Sequence, residues 1–254
     1  MLPRRSAGPS ILDSTPEYLR RMTHIKQMDL EYTLWQMTYF VINPSKAYRM
    51  VVYHAQTKRH WARDDPAFVV VQIMLLLVTA IAYSIAFYPS EGWGIFGALL
   101  NCLHFAFVSI IFHYIVFGVI IATISWIITN AVLHAGQNDP GRGATWPVEW
   151  LYCWDVHCNS FFPHFILLYV LQYVVMYIVL SRSVLSTLIA NTITFVAFSY
   201  YHYVSFLGYA ALPALQGSRT EPLLVFPVLF WAFISLMFTL LNANMTWIAV
   251  FYLL

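Results

Sequence analysis

From residue 56 to residue 68 the chain reads Gln56, Thr57, Lys58, Arg59, His60, Trp61, Ala62, Arg63, Asp64, Asp65, Pro66, Ala67 and Phe68, and there a charged region gives way to an apolar one. Asp65 is suited to cap a helix, because its carboxylate accepts backbone N–H bonds that a first helical turn leaves open. Pro66 fits the first helical position, where a missing N–H costs nothing. A long helix is therefore predicted to start here. Asp64 and Asp65 sit at the positive end of its dipole, Lys58, Arg59 and Arg63 lie where anionic headgroups would meet them, and Trp61 falls at the membrane boundary. A well-made helix start with membrane anchors accounts for every residue, and a partner-binding role is the sharper alternative.

The composition around that boundary fixes the class. Apolar residues make up 60% of the 254 and charged residues 9%, with a mean hydropathy of +0.67, whereas soluble domains carry about a quarter charged residues. The chain reads as a multi-spanning membrane protein. Its net charge of +2 hides an asymmetry: ten of thirteen Lys and Arg (Arg4, Arg5, Arg20, Arg21, Lys26, Lys46, Arg49, Lys58, Arg59, Arg63) precede the first apolar run. Three cysteines make no disulfide framework and give no redox signal. No basic segment followed by an apolar core and a cleavage site stands at the N-terminus, so the first spanning helix is expected to direct insertion.

Three regions follow. Residues 1–16, with Pro3, Pro9 and Pro16, read as a disordered tail. Residues 17–67 read as two amphipathic helices on the cytosolic membrane surface or docked on the bundle. The first runs to Val41 with Leu30, Leu34, Met37 and Val41 as its apolar stripe. The second follows the Asn43 and Pro44 break, with Ala47, Tyr48, Val51, Val52 and Ala55 on one side. Residues 68–254 read as a transmembrane bundle, giving an all-α polytopic fold of about five spans. The expected crossings are Phe68 to Phe87, a run from Ile95 to Leu133, about Phe161 to Leu180, about Val184 to Leu207, and about Leu223 to Trp247. The second run is too long for one perpendicular crossing, and is either a re-entrant piece plus a span or one long tilted helix. A loop is expected from His134 to Pro147, and Glu149, Trp150, Tyr152, Trp154, Asp155 and His157 mark a water–lipid boundary. This topology puts twelve Lys and Arg on the N-terminal side and one, Arg182, on the other, which places the N-terminus in the cytosol.

Few residues carry chemistry. Cys153, His157 and Cys158 are zinc-ligand types, but a fourth ligand is missing and adjacent residues diverge on a helix. The plainer reading has Asp155, His157 and Asn159 order the start of the third crossing. His104, His113, His164 and His202, with the amides Gln72, Gln172, Asn191 and Asn242, suggest the rival class: a transporter, channel or lipid-moving protein. The plainer reading of those groups is hydrogen bonding between helices. No nucleophile with a base, phosphate loop or paired intramembrane acids holds together, so no enzyme, cofactor or metal is expected. Asn244, Met245 and Thr246 have glycosylation spacing at a membrane edge, and modification there is not expected.

Four separated patterns resemble the uncoordinated-fifty (unc-50 homolog) family of Golgi and endomembrane proteins. They are Gln27, Met28, Asp29, Leu30 and Glu31 with Trp35, Gln36 and Met37; Trp61 to Phe68; Glu149 and Trp150 with Asp155 to Pro163; and Phe206 to Pro213. The resemblance covers the chain from about Tyr18 onward, and Cys158 falls in a variable slot of the third pattern. It implies a multi-spanning protein without assigned enzymatic activity, located in the Golgi membrane, with the endoplasmic reticulum and inner nuclear membrane as other possible sites. It also implies a trafficking role: animal members are needed for surface delivery of nicotinic acetylcholine receptors, and fungal members are tied to large Arf guanine-nucleotide exchange factors. The expected partners are membrane lipids, such an exchange factor, and a receptor or other membrane cargo. RNA binding has been attributed to the family, but the N-terminal aromatics here follow a helical stripe, not a stacking platform, and nucleic acid is not expected. The structural or partner-binding candidates are Gln27, Asp29, Glu31, Trp35, Trp61, Arg63, Asp64, Asp65, Trp150, Asp155, His157 and Asn159. Of these, Arg63, Asp64, Asp65, Asp155 and His157 are expected to join the N-terminal region to the bundle.

Overall fold

The structure is a computed structural model, and it describes residues 28–58, 60–87, 94–136, 148–212 and 221–250. Among the described residues every regular element is helical. Helices α1 (Leu30–Ile42) and α2 (Pro44–Lys58) precede α3 (Ala67–Phe87). Then α4 (Gly94–Phe107), a π-helical stretch (Val108–Val116) and α5 (Phe117–Gly136) continue one another without a break. Helix α6 (Trp150–Phe165) passes into a second π-helical stretch (Ile166–Leu171) and the short pieces α7 (Gln172–Val174) and α8 (Met176–Val179). Helices α9 (Val184–Ala210), α10 (Pro222–Leu240) and α11 (Met245–Ile248) follow.

Four described helices are long and apolar enough to cross a membrane: Ala67–Phe87, Gly94–Ala131, Val184–Ala210 and Pro222–Leu240. The interrupted helix from α6 to α8 runs between the second and third of them. At one end Tyr152 donates to the Gly208 carbonyl near the end of α9, and at the other Ser186 donates to Val179. The result is a polytopic bundle in which α6 to α8 runs antiparallel to α9 and parallel to α3. The long second run is one continuous helix with a π-helical middle, not a re-entrant piece plus a span, so its backbone stays paired within the segment as lipid requires.

Helix α6 is the hub, packing on α9, α5, α1 and α3. Its residues from Tyr152 to Phe165 are buried without a break, which happens only when a helix is covered on every side. Helix α10 is the opposite case: it packs on α9 and none of its residues is buried.

The helix predicted at Asp65 and Pro66 starts at Ala67, whose N–H donates to Asp65 Oδ1 at 2.9 Å. Helices α1 and α2 are docked on the bundle, α1 against α6 and α3, α2 against α9. The docked face of α1 differs from the stripe read in the sequence. Thr33, Gln36, Met37 and Phe40 are buried, while Leu30 is 41% and Leu34 54% exposed. Aromatic fit selects that face, because Phe40 meets Tyr48 and Phe68 edge-on at 5.2 and 6.1 Å. Gln36 tolerates burial because its amide donates to the Tyr32 hydroxyl. Ala47, Tyr48 and Ala55 of α2 are buried as the spacing implies.

The last expected crossing also ends early. Helix α10 stops at Leu240, Asn242 takes a left-handed conformation (φ 51°), and the Ala243 N–H caps the Phe238 carbonyl. The short α11 is capped by Asn244, which accepts from the Trp247 N–H, while its own amide donates to Val179 at 2.6 Å. That nitrogen, the one with glycosylation spacing, is engaged inside the fold. The start of the loop expected from His134 is helical instead, since α5 runs to Gly136. The tail 1–16, the first part of the N-terminal helix through Gln27, and the rest of that loop through Pro147 lie outside the described residues.

Candidate functional site

Residues 60–66 form no regular element, so their backbone donors need partners elsewhere. Those partners build a joint. The Ala62 N–H donates to Glu149 Oε2 at 3.2 Å and the Arg63 N–H to Asp155 Oδ2 at 2.7 Å. The Arg63 guanidinium donates through Nη2 to Asn159 Oδ1 and lies over the Phe68 ring, 4.4 Å from its centroid. Asp65 spans two helix starts. One oxygen caps α3, and the other accepts from the Asp29 N–H at 2.8 Å, while the Asp29 carboxylate caps α1 through Tyr32. A single carboxylate thus fixes α1 relative to α3.

Asp155 precedes the crossing expected from Phe161 and is buried. Burial pushes its carboxyl up to about 6, against the Arg63 charge and the Arg63 N–H, which pull it down; Glu149 and Asp64 add a smaller upward push. Trp61 packs edge-on against Tyr152 at 5.8 Å, and Tyr152 reaches the Gly208 carbonyl at 2.7 Å. The stretch is therefore tied to α3, α6 and, through Tyr152, α9.

Other sequence candidates lie apart from this joint. Asp64 is exposed and pairs with His60 at 3.1 Å. Glu31 is exposed in the first turn of α1. Trp35 stacks between Tyr32 and Tyr39, with the Lys46 ammonium 4.2 Å from the Tyr39 ring, on the side of α1 that meets α2. Trp150 bonds Thr123 at 3.0 Å and ties α6 to α5. Gln27 lies outside the described residues. His157 faces away from Arg63: Nε2 lies 3.0 Å from the Tyr114 carbonyl, which only accepts, and Nδ1 lies 2.8 Å from the Tyr201 hydroxyl. The neutral ring therefore donates from Nε2 and accepts at Nδ1, joining the first π-helical stretch, α6 and α9. With both nitrogens taken, and Cys158 accepting from the Tyr114 hydroxyl at 3.2 Å, neither is poised as a zinc ligand. His113 likewise bonds the Tyr169 hydroxyl at 2.6 Å.

The sequence reading missed Glu149 as an acceptor, Phe68 as the ring beneath Arg63, and two glycines. A Cβ on Gly118 would fall 2.4 Å from His157 Nε2, and one on Gly208 would fall 2.7 Å from the Tyr48 hydroxyl. Gly118 stands alone in a long apolar run, and that isolation was the available signal.

The residues of the joint belong to the patterns at 61–68 and 149–163. The model of the UNC-50 family matches residues 18–254. The chain belongs to the UNC-50 family. It is 44% identical over 201 residues to the protein unc-50 homolog of Dictyostelium discoideum, covering 79% of this chain and 74% of that one. To protein unc-50 of Caenorhabditis elegans it is 40% identical over 210 residues, covering 80% of this chain and 62% of the nematode protein, less than two thirds of its length. To the human protein unc-50 homolog it is 35% identical over 207 residues, covering 80% and 73%. None of these names denotes a catalytic activity. No solved structure matches the chain. In this UNC-50 family member the two patterns meet in space, because backbone N–H groups of one are answered by the carboxylates of the other and the Arg63 guanidinium by its Asn159 amide.

Proposed function

We propose that this protein is a non-enzymatic trafficking factor of the Golgi membrane. In this reading its N-terminal helices present a cytosolic surface that helps place a large Arf guanine-nucleotide exchange factor, and so supports transport of receptors or other membrane cargo. The observation that carries the reading is the Asp65 carboxylate shared between the starts of α1 and α3, backed by Arg63 on Asp155 and Asn159. These groups hold a surface in one orientation. The twelve-to-one charge bias supports the cytosolic side, and the nature of the partner rests on the family resemblance.

A pull-down from detergent-solubilised Golgi membranes tests this by comparing wild type with the double variant Arg63→Ala, Asp65→Ala. The exchange factor is expected with wild type and lost with the variant. Normal recovery by a folded variant refutes the role of the joint. Absence of the factor from wild-type pull-downs, together with unchanged Golgi recruitment in cells lacking this protein, refutes the function.

A further inference from the structure

Helices α9 and α10 are pinned together toward one end. Asn191 donates to the Thr239 hydroxyl at 3.0 Å and the Ala243 carbonyl at 3.1 Å, and Ser235 donates to the Asn191 carbonyl at 3.1 Å. The rings of Phe198 and Trp231 stack at 3.7 Å. Beyond that stack, toward the N-terminal helices, a groove of about 490 Å³ opens between Phe195, Ser199 and Tyr203 on α9 and Leu224, Val228 and Leu229 on α10. Pro227, between Val225 and Val228 of the wall, cannot donate to the Leu223 carbonyl and crowds the turn before it.

The surroundings decide what fills the groove. No residue of α10 is buried, so this apolar helix of 19 residues has hydrocarbon as its solvent. A second helix is a poor fit, because close helix pairs in lipid meet through small residues and the α10 wall offers Leu and Val. Water or a polar solute would find little to bond. The Ser199 hydroxyl in the wall is shielded, and the Tyr200 hydroxyl is taken up by the Val41 carbonyl. The volume falls in the ~300–1,000 Å³ range of small-molecule sites.

We propose that this groove binds one acyl chain of a bilayer lipid from the leaflet on the side of the N-terminal helices. Tyr200, which also lines the groove, donates to the Val41 carbonyl at 2.8 Å, so the seated chain packs beside the end of α1.

The test uses the full chain in phosphatidylcholine vesicles containing a lipid with a diazirine on one acyl chain. After irradiation the attachment sites are mapped. Attachment should concentrate on residues 195–203 and 224–229, fall to background in Val228→Trp, which fills the groove, and persist in Phe226→Trp on the outward face, where Phe226 is 70% exposed. Val225→Phe serves as the filling variant if Val228→Trp does not fold. Attachment spread evenly over the outward residues of α10 and α3, and unchanged by a folded filling variant, overturns the site. Chain-to-chain crosslinks at the groove in place of lipid attachment overturn it as well, by showing a second copy there.

Discussion

Gly118→Ala should be among the most damaging single-methyl additions in this protein. The new Cβ would lie 2.4 Å from His157 Nε2, 2.5 Å from His157 Cδ2 and 2.9 Å from Trp154 Cζ3, all atoms of rigid rings. Ordinary carbon contacts are about 3.5–4.0 Å, so the imidazole or helix α5 must retreat by about 1 Å. Overpacking of this kind costs about 1–3 kcal/mol. The same retreat breaks the 3.0 Å bond from Nε2 to the Tyr114 carbonyl, and a buried donor without a partner costs about 1–3 kcal/mol more. The gain in helix propensity from Gly to Ala returns about 1 kcal/mol, leaving a net loss of about 1–5 kcal/mol. Thermal unfolding in detergent, followed by near-ultraviolet signals of the buried aromatics, should show a clearly lowered midpoint. The His157→Ala background should absorb most of the effect, because the ring that clashes is gone. An unchanged or raised midpoint, or an equal loss with and without the His157 ring, would refute the close-approach argument.

The Tyr48 hydroxyl is buried without a partner at hydrogen-bond distance, so Tyr48→Phe should leave unfolding within about 0.5 kcal/mol of wild type. It should also relieve part of the loss caused by Gly208→Ala, whose Cβ meets that oxygen; a large loss from Tyr48→Phe would show an unseen bond. Spin labels at positions 34 and 37 should differ, with Met37 immobile in the protein and Leu34 mobile, and equal mobility would contradict the docked face of α1. Because burial holds the Asp155 carboxyl up at about 6, the folded state binds that proton more tightly than the unfolded chain. Its stabilisation is full at low pH and lost as pH rises through about 6. The midpoint of wild type minus that of Asp155→Asn should therefore fall on going from about pH 5 to about pH 7, and a rise would reverse the assignment.

The legible parts of this chain were those whose chemistry is local. Asp65 and Pro66 announced α3 because capping acts over two or three residues, and Asn43 and Pro44 separated α1 from α2 in the same way. The meeting of 61–68 with 155–159 was expected as a joint, but with Asp64 and His157 among its members and Asn159 left out. Helical spacing already held the answer: Asp155 and Asn159 are four apart and share a face, while His157 is two from each and points about 200° around. The docked face of α1 was not legible from spacing alone. The docked face carries Thr33 and Gln36 beside Met37 and Phe40, so apolar spacing does not single it out, and its docking depends on the ring of Phe68, 28 residues beyond Phe40. The π-helical stretches left no mark in an apolar sequence, and with them the position where one helix continues through 94–136 was hidden.

Those stretches explain how α6 can be the hub while carrying His157 in its buried run. Polar groups in a low-dielectric interior cost several kcal/mol unless paired, and an ordinary α-helix has few mid-helix carbonyls to offer a neighbour. The wider π register changes that supply. The Tyr114 carbonyl, in the first stretch, takes the His157 N–H, and the Tyr169 carbonyl, in the second, takes the Tyr83 hydroxyl at 3.2 Å. Each irregular stretch is thus used as an acceptor by a neighbouring element, which fixes the height of α6 against α3, α5 and α9. A helix held at one height presents Asp155 and Asn159 at one height, and those two residues grip Arg63. The orientation of the N-terminal helices is in this sense set deep in the bundle. A change at Gly118 or His157, both buried, should therefore disturb the orientation of the N-terminal helices as surely as a change at Asp65.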